Sequence, residues 1–257
     1  MRKALLVGLA LVAGWMPLGN PAAAGRAAAE TASAGMPSDE RLDALLAAHD
    51  WTGLANALAH ARSGDEAGRR LDWLSAKLVA GGGALLGFLY SRDLWSAGQQ
   101  VKSSDPMSDL RVTAGLFTLY TFALIAIDGA KCEDRSAPSH RADQLLETNR
   151  PILQFLRAQP AKVKAKVVDL ALTIERKTAP LRKDDDFLCR DGLDQILAGL
   201  EGGQVKDVTP PGGGSGKSYE VSAPPGYAPK FLPPSAYVPE QFKAREAMRA
   251  NLQKLID

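Results

Sequence analysis

Residues 112–127 read VTAGLFTLYTFALIAI, a run without a charged side chain that lies between Arg111 and Asp128. Asp105 and Pro106 precede the run as a candidate N-cap and first helical residue, and Gly129 follows it as a candidate C-cap. As a helix the run would span about 24 Å, less than the roughly 30 Å hydrocarbon core of a bilayer. A helix that is apolar on all sides needs cover on all sides. The run therefore predicts the central helix of a bundle.

The segments around this run predict more helices and very little sheet. Ser38 and Asp50 are candidate N-caps of two short helices, and apolar residues recur at helical spacing from there to residue 201. Long β-branched alternations are nearly absent, which favours an all-α protein. We therefore predict a single helical bundle over residues 38–201. In its last helix, the side chains expected to face inward are Leu188, Leu193, Ile196, Leu197 and Leu200.

The N-terminus has the pattern of an export signal. Arg2 and Lys3 precede an apolar segment, and Ala22-Ala23-Ala24 supplies small residues for cleavage before Gly25. We predict a signal peptide over residues 1–24, a loose leader over residues 25–37, and a periplasmic or secreted protein. The alternative is an uncleaved N-terminal anchor.

The charge balance excludes one class of partner. The whole chain has 31 Lys and Arg against 29 Asp and Glu, and two of its basic residues, Arg2 and Lys3, lie in the signal. The mature chain is therefore formally neutral, and no nucleic-acid partner is expected.

Cys132 and Cys189 are the only cysteines of the chain. In an exported protein two cysteines predict one disulfide bond, worth roughly 4 kcal/mol in the loop-entropy model. The alternative is two separate buried thiols.

The composition changes after the bundle. Residues 202–238 are rich in Pro and Gly and predict a linker, and residues 239–257 predict a C-terminal amphipathic helix that starts at Pro239. This helix could dock on its own bundle or on another molecule. Its candidate partner-binding side chains are Phe242, Met248, Leu252 and Leu255.

Motifs for chemistry are weak. The stretch GGGSGKS at 212–218 has Pro211 where a phosphate-binding loop needs its first Gly, so it is interpreted as linker. The predicted disulfide would bring two acidic neighbourhoods together, in which Asp184 and Asp186 are weak candidate metal ligands and Asp128 and Glu133 a weak candidate catalytic pair. Helix caps and surface ion pairs are the simpler interpretation. No cofactor is expected. Glu175 lies in an otherwise apolar stripe and is a candidate buried acid, but it is interpreted as an exposed ion-pair partner because Arg176 and Lys177 follow it.

These observations favour an exported binding or accessory protein that acts through contacts with another protein, in the cell envelope or outside the cell, without catalysis. One alternative is a secreted helical hydrolase that uses carboxylates near the disulfide. The other is a membrane-associated hairpin made of the uncharged segments 78–91 and 112–127, although both are short for a bilayer and a membrane is not the expected partner. The sequence indicates no oligomeric state.

Overall fold

A computed structural model describes residues 37–59, 61, 63–101, 103–208 and 218–257. It is 71% helical, and its only sheet in these residues has two strands, so the all-α prediction is confirmed. The predicted signal peptide, and the predicted leader as far as residue 36, lie outside the described residues. The described residues contain ten α-helices and two strands, in chain order α1 Asp39–Ala47, α2 Trp51–Ala57, α3 Gly64–Val79, α4 Ala84–Gln100, α5 Leu110–Asp128, α6 Ser136–Thr148, α7 Arg150–Arg157, α8 Ala161–Thr178, α9 Leu193–Glu201, β1 Val205–Val208, β2 Ser218–Val221 and α10 Pro234–Ile256.

The described residues form two compact units. The larger holds residues 37–195 and 227–257, and the smaller holds residues 196–208 and 218–226. The larger unit therefore includes the C-terminal helix α10, which the sequence placed beyond a linker. The limit between the units falls inside α9.

Helix α5 contains the apolar run and forms the centre of the larger unit. It contacts α4, α6, α7, α8 and α10, and side chains along its length, such as Leu119, Leu124 and Ile127, are fully buried. The helix begins later than predicted, because Asp109 is the N-cap and accepts a hydrogen bond from the Arg111 backbone N–H at 2.8 Å. Asp105 and Pro106 instead start a short 3-10 turn, Pro106–Ser108.

By length and composition, one helix in the described residues could cross a membrane, namely the stretch Leu110–Lys131 with a mean hydropathy of 1.7. The protein itself buries 61% of the most apolar part of this stretch. The predicted second segment of a membrane hairpin, residues 78–91, is divided, because α3 ends at Val79 and α4 begins at Ala84. The described residues therefore hold α5 as a core helix with helical neighbours.

Helices α4 and α5 approach closely where Gly87 faces Thr121. A Cβ atom added to Gly87 would lie 2.1 Å from Thr121 Oγ1, and this hydroxyl donates a hydrogen bond to the Phe117 carbonyl at 2.7 Å. A larger side chain at position 87 would have to push the two helices apart.

We expect Gly87→Ala to lower the free energy of unfolding by about 1–3 kcal/mol, because overpacking outweighs the better helix propensity of Ala. Gly68→Ala in α3 is the matched control. Gly68 is exposed and nothing lies within 4 Å of its added Cβ, so this variant should gain up to about 1 kcal/mol. Urea denaturation measures both, and equal effects of the two substitutions would contradict the close approach.

The segment predicted as a linker contains ordered structure. Strands β1 and β2 pair antiparallel, with Val205 opposite Val221 and Val208 opposite Ser218. Valine and tyrosine side chains at these positions suit a strand, which explains why the pairing forms in a segment otherwise rich in Pro and Gly. The loop between the strands, residues 209–217, lies outside the described residues, and so does nearly all of GGGSGKS.

Helix α10 begins at Pro234, five residues before the predicted start at Pro239. Pro234 occupies the first turn, where its missing N–H costs nothing, and the Pro233 carbonyl accepts from the Ala236 N–H at 2.9 Å. Pro239 lies within the helix. Because Pro239 has no N–H, the carbonyl of Ser235 lacks its usual helical hydrogen bond. Ser235 is exposed, so this carbonyl can bind water instead. This proline therefore does not end the helix.

Candidate functional site

The predicted disulfide bond is present and joins three segments of the larger unit. Cys132 and Cys189 are bonded, with their Cα atoms 5.3 Å apart. Next to the bond, Cys132 also forms an isolated antiparallel bridge with Phe231, and the Leu232 N–H donates to the Lys131 carbonyl at 2.7 Å. The bond thus fixes the end of α5, the segment before α9 and the segment before α10 in one place. Such a bond is compatible with an exported protein.

Asp128, a weak candidate for catalysis, is buried in a network of paired charges. Its Oδ2 lies 2.5 Å from Arg182 Nε, and its Oδ1 accepts from Gln241 Nε2 of α10 at 3.1 Å. Although burial disfavours the charged guanidinium, Asp128 and Glu175 raise the pKa of Arg182 above its usual value. This carboxylate therefore serves to hold Arg182 and α10.

Glu175 belongs to the same network, so its interpretation as an exposed ion-pair partner was wrong. Only 1% of the residue is exposed. Glu175 Oε1 lies 2.6 Å from Arg182 and 3.1 Å from Arg245 of α10. The partners are seven and seventy residues away, and the adjacent Arg176 and Lys177 are not among them. Two carboxylates and two guanidinium groups balance each other beneath α10.

Glu133, the other catalytic candidate, lies in a different environment from Asp128. It is exposed, and its carboxylate is 3.8 Å from Lys230 Nζ. Acid–base catalysis on a sugar needs two carboxylates that face one cleft. The structure places Asp128 in the interior and Glu133 on the surface, so it does not bring this pair together.

The consecutive aspartates at positions 184–186 contact different partners. Asp184 is 3.7 Å from Lys131 Nζ, and Asp186 lies 2.5 Å from Arg190 Nε and accepts from Trp51 Nε1 at 3.2 Å. Asp185 is half-buried and accepts from the Ala84 N–H at 2.7 Å, and its desolvation raises the pKa of this carboxyl. Among the described residues no group of three or more His, Cys, Asp or Glu could hold a metal ion.

Helix α10 docks on its own bundle. Met248, Leu252 and Ile256 are at most 1% exposed, and the helix contacts α5, α7 and α8. Met248 and Leu252 are therefore core residues and cannot reach a partner in this arrangement. Phe242 is 63% exposed. Leu255 is half-buried and lines an open groove of about 540 Å³ between α6, α7 and the end of α10.

Helix α9 exposes the face that the sequence predicted to be buried. Leu193, Leu197 and Leu200 are 58%, 55% and 50% exposed, so the prediction that they face inward was wrong. They occur at positions i, i+4 and i+7 and lie along one side of the helix. We call these three residues the leucine stripe.

The opposite side of α9 packs on the hairpin within the smaller unit. A Cβ atom added to Gly199 would lie 2.4 Å from the Ser222 carbonyl oxygen and 2.6 Å from a Val221 methyl group. Only glycine lets the hairpin lie this close. The close approach explains which way the helix is turned, because the side that carries Gly199 is covered and the leucine stripe is left in solvent.

The N-terminus of α9 is held by side chains at the start of α6. Asp134 Oδ2 accepts from the Asp194 N–H at 2.9 Å, and Ser136 Oγ accepts from the Leu193 N–H at 2.7 Å. Partial burial opposes ionisation of Asp134, but hydrogen bonds from Ser136 and from the Asp194 N–H keep the pKa of this carboxyl below its usual value. These hydrogen bonds hold the N-terminal end of α9 in place. The leucine stripe begins there at Leu193, four residues after Cys189.

Comparisons of the chain with protein-family models, with curated proteins and with solved structures find no match. Function must therefore be inferred from the surface itself. The leucine stripe is a group of three exposed leucines on one face of a helix, within the part of the chain that the structure describes.

Proposed function

We propose that this protein is an exported helical accessory protein that binds another protein, in the cell envelope or outside the cell, through the leucine stripe of α9. Single exposed apolar residues are common on protein surfaces. Several exposed apolar side chains on one face of a helix instead mark a site of interaction. The exposure of Leu193, Leu197 and Leu200 is the observation that supports this proposal most directly.

The support of the helix also favours binding. Asp134 and Ser136 hold the first backbone N–H groups of α9, and Gly199 allows the hairpin to cover its far side. A surface that is already ordered loses little conformational entropy when a partner binds. The stripe is therefore suited to contact a partner without refolding.

Export is proposed from two further features. The disulfide bond is of the kind that persists in oxidising compartments, and the sequence begins with the pattern of a cleaved signal. The proposal assigns no catalysis. Within the described residues, the candidate pair Asp128 and Glu133 of the hydrolase alternative does not share a cleft, and the two segments of the membrane alternative do not form an exposed apolar helix pair.

The stripe can be tested by affinity capture from envelope extracts with the purified mature protein. We expect Leu197→Ser/Leu200→Ser to abolish the capture of a partner that the unmodified protein retains, because two central apolar contacts are lost.

The matched control is Val79→Ser/Val101→Ser, which removes two valines that are 64% and 61% exposed elsewhere on the surface. This variant should capture the partner as well as the unmodified protein does. Equal capture by both double variants, each folded by circular dichroism, would refute the proposal.

A further inference from the structure

We infer that the surface bound by the leucine stripe is a basic amphipathic helix of the partner protein. The inference rests on the proposed function and adds the chemistry of the partner. Two acidic side chains run along one edge of the stripe, and this acidic edge carries the inference. It consists of Asp194 and Glu201.

The acidic edge is parallel to the leucine stripe. Asp194 and Glu201 are seven residues apart, about two helical turns, so they lie on the same side of α9. Leu197 is three residues after Asp194 and four residues before Glu201, and it is therefore adjacent to both. A partner helix that packs on the leucines would have its flanking side chains within reach of both carboxylates.

Within the part of the chain that the structure describes, the two carboxylates have no basic partner. Helix α9 has the sequence LDQILAGLE and contains no Lys or Arg, and neither side chain forms an ion pair among the described residues. The neighbouring Asp191 differs in this respect, since it lies 2.6 Å from Arg141. Unpaired carboxylates next to an apolar face are available to a cation from outside.

Several carboxylates also lie around the N-terminal end of α9. The pKa of Tyr227 is raised by partial burial and by the carboxylates of Asp194, Asp134 and Asp191, although the guanidinium group of Arg190 lowers it. A negative surface attracts a positive partner and repels a negative one. Lysine or arginine beside the apolar stripe of the partner would complement this edge.

A helix is the shape that fits the stripe. Leucines at i, i+4 and i+7 form ridges with helical periodicity, and such ridges pack into the grooves between the side chains of another helix. The nine residues of α9 extend about 14 Å, which a partner helix of roughly ten residues would cover.

Two other occupants fit less well. A second copy of α9 on the stripe would bring acidic edges to an interface with no basic residue on either helix, and like charges there cost free energy. An anionic lipid surface would meet the same repulsion. A basic helix of a different protein avoids both penalties.

The test uses two synthetic peptides of about 14 residues with the same leucine stripe. Lysines flank the stripe in one peptide and glutamates flank it in the other. Binding to the purified mature protein is followed by fluorescence anisotropy. We expect the lysine peptide to bind about tenfold more tightly than the glutamate peptide, because two unpaired carboxylates attract one and repel the other. The difference should shrink between about 0.02 M and about 0.15 M salt.

Variants of the protein separate the contribution of the acidic edge to peptide binding from that of the leucine stripe. Asp194→Asn/Glu201→Gln should weaken the lysine peptide about fivefold and bring the two peptides close together in affinity. Asp39→Asn/Glu40→Gln removes two exposed acids from the first turn of α1 and should leave the lysine peptide unaffected. Leu197→Ser/Leu200→Ser should abolish binding of both peptides.

Equal or tighter binding of the glutamate peptide would overturn the inference. So would a failure of the lysine peptide to bind while the leucine variants still lose the captured partner, a result that leaves the proposed function intact. Self-association in sedimentation equilibrium that Leu197→Ser/Leu200→Ser removes would also overturn the inference, because the occupant would then be a second copy. If the leucine variants lost neither partner nor peptide, the proposed function itself would fail.

Discussion

Replacing Arg182 with methionine is expected to lower the free energy of unfolding by about 3–5 kcal/mol. The guanidinium group lies 2.5 Å from Asp128 and 2.6 Å from Glu175, and all three side chains are at most 5% exposed. Methionine leaves two buried carboxylates with one arginine, Arg245, and one hydrogen bond from Gln241. Burying a charge without its partner costs far more than the pair contributes.

The effect should extend to α10. Gln241 and Arg245 reach Asp128 and Glu175 from this helix, at 3.1 Å in both cases. Without Arg182, water has to solvate the two carboxylates. Because they lie beneath α10, water can reach them only if this helix moves away. We therefore expect the amides of α10 to exchange hydrogen faster in Arg182→Met than those of α3.

Arg150→Met is the control for Arg182→Met. Arg150 pairs with Glu147 on the surface, where both side chains are more than half exposed. Its removal should change the free energy of unfolding by no more than about 0.5 kcal/mol. A loss for Arg182→Met no larger than this would mean that the carboxylates are not buried as the structure has them.

The second large effect is expected from removing the disulfide bond. The double variant Cys132→Ala/Cys189→Ala should lose roughly 4 kcal/mol, because the bond closes a loop with a sequence separation of 57. Both cysteines are buried, so the shortened side chains also leave unfilled space. Urea denaturation of the purified protein measures the loss.

Reduction of the unmodified protein provides the control for this variant. With excess dithiothreitol its unfolding midpoint should fall close to that of the double variant, which dithiothreitol itself should not affect. Two titratable thiols in the denatured, non-reduced protein would show that the bond is absent from the natural molecule.

The fold class and the central helix could be predicted from composition and periodicity because both are local properties. An uncharged run of sixteen residues that forms a helix must be covered on all sides, and packing by neighbouring helices provides this cover. The cap was misplaced by four residues, since Asp105 followed by Pro106 has the pattern of a helix start but begins only a short 3-10 turn. Only the structure shows that Asp109 accepts the Arg111 N–H.

The burial of Glu175 depends on contacts that cannot be recognised in the sequence. Its neighbours Arg176 and Lys177 indicate a surface pair, whereas its actual partners are Arg182 and Arg245. Burial of a charge is decided by residues that are distant in the chain. Periodicity could show that Glu175 lies within an apolar region, but it could not show that cations reach it there.

Helices α9 and α10 show the limit of periodicity most clearly. Each has leucines or other apolar residues at helical spacing, which shows that these residues share a face. It does not show what that face contacts. In α10 the face is buried on the bundle, and in α9 the equivalent face is exposed because Gly199 lies against the hairpin. The face of α9 that was expected to be buried is therefore exposed, and the C-terminal helix, for which both dockings were left open, lies on its own bundle.

Photocrosslinking from α9 tests the central claim most directly. The full-length chain is produced in cells with a photoreactive side chain at position 197, and the exported fraction is irradiated and analysed by mass spectrometry. Position 101, which is also exposed, provides the control. We predict that a chain beginning at Gly25 forms an adduct with a second protein from position 197 and none from position 101. A chain that crosslinks equally from both positions, or from neither, would contradict the account.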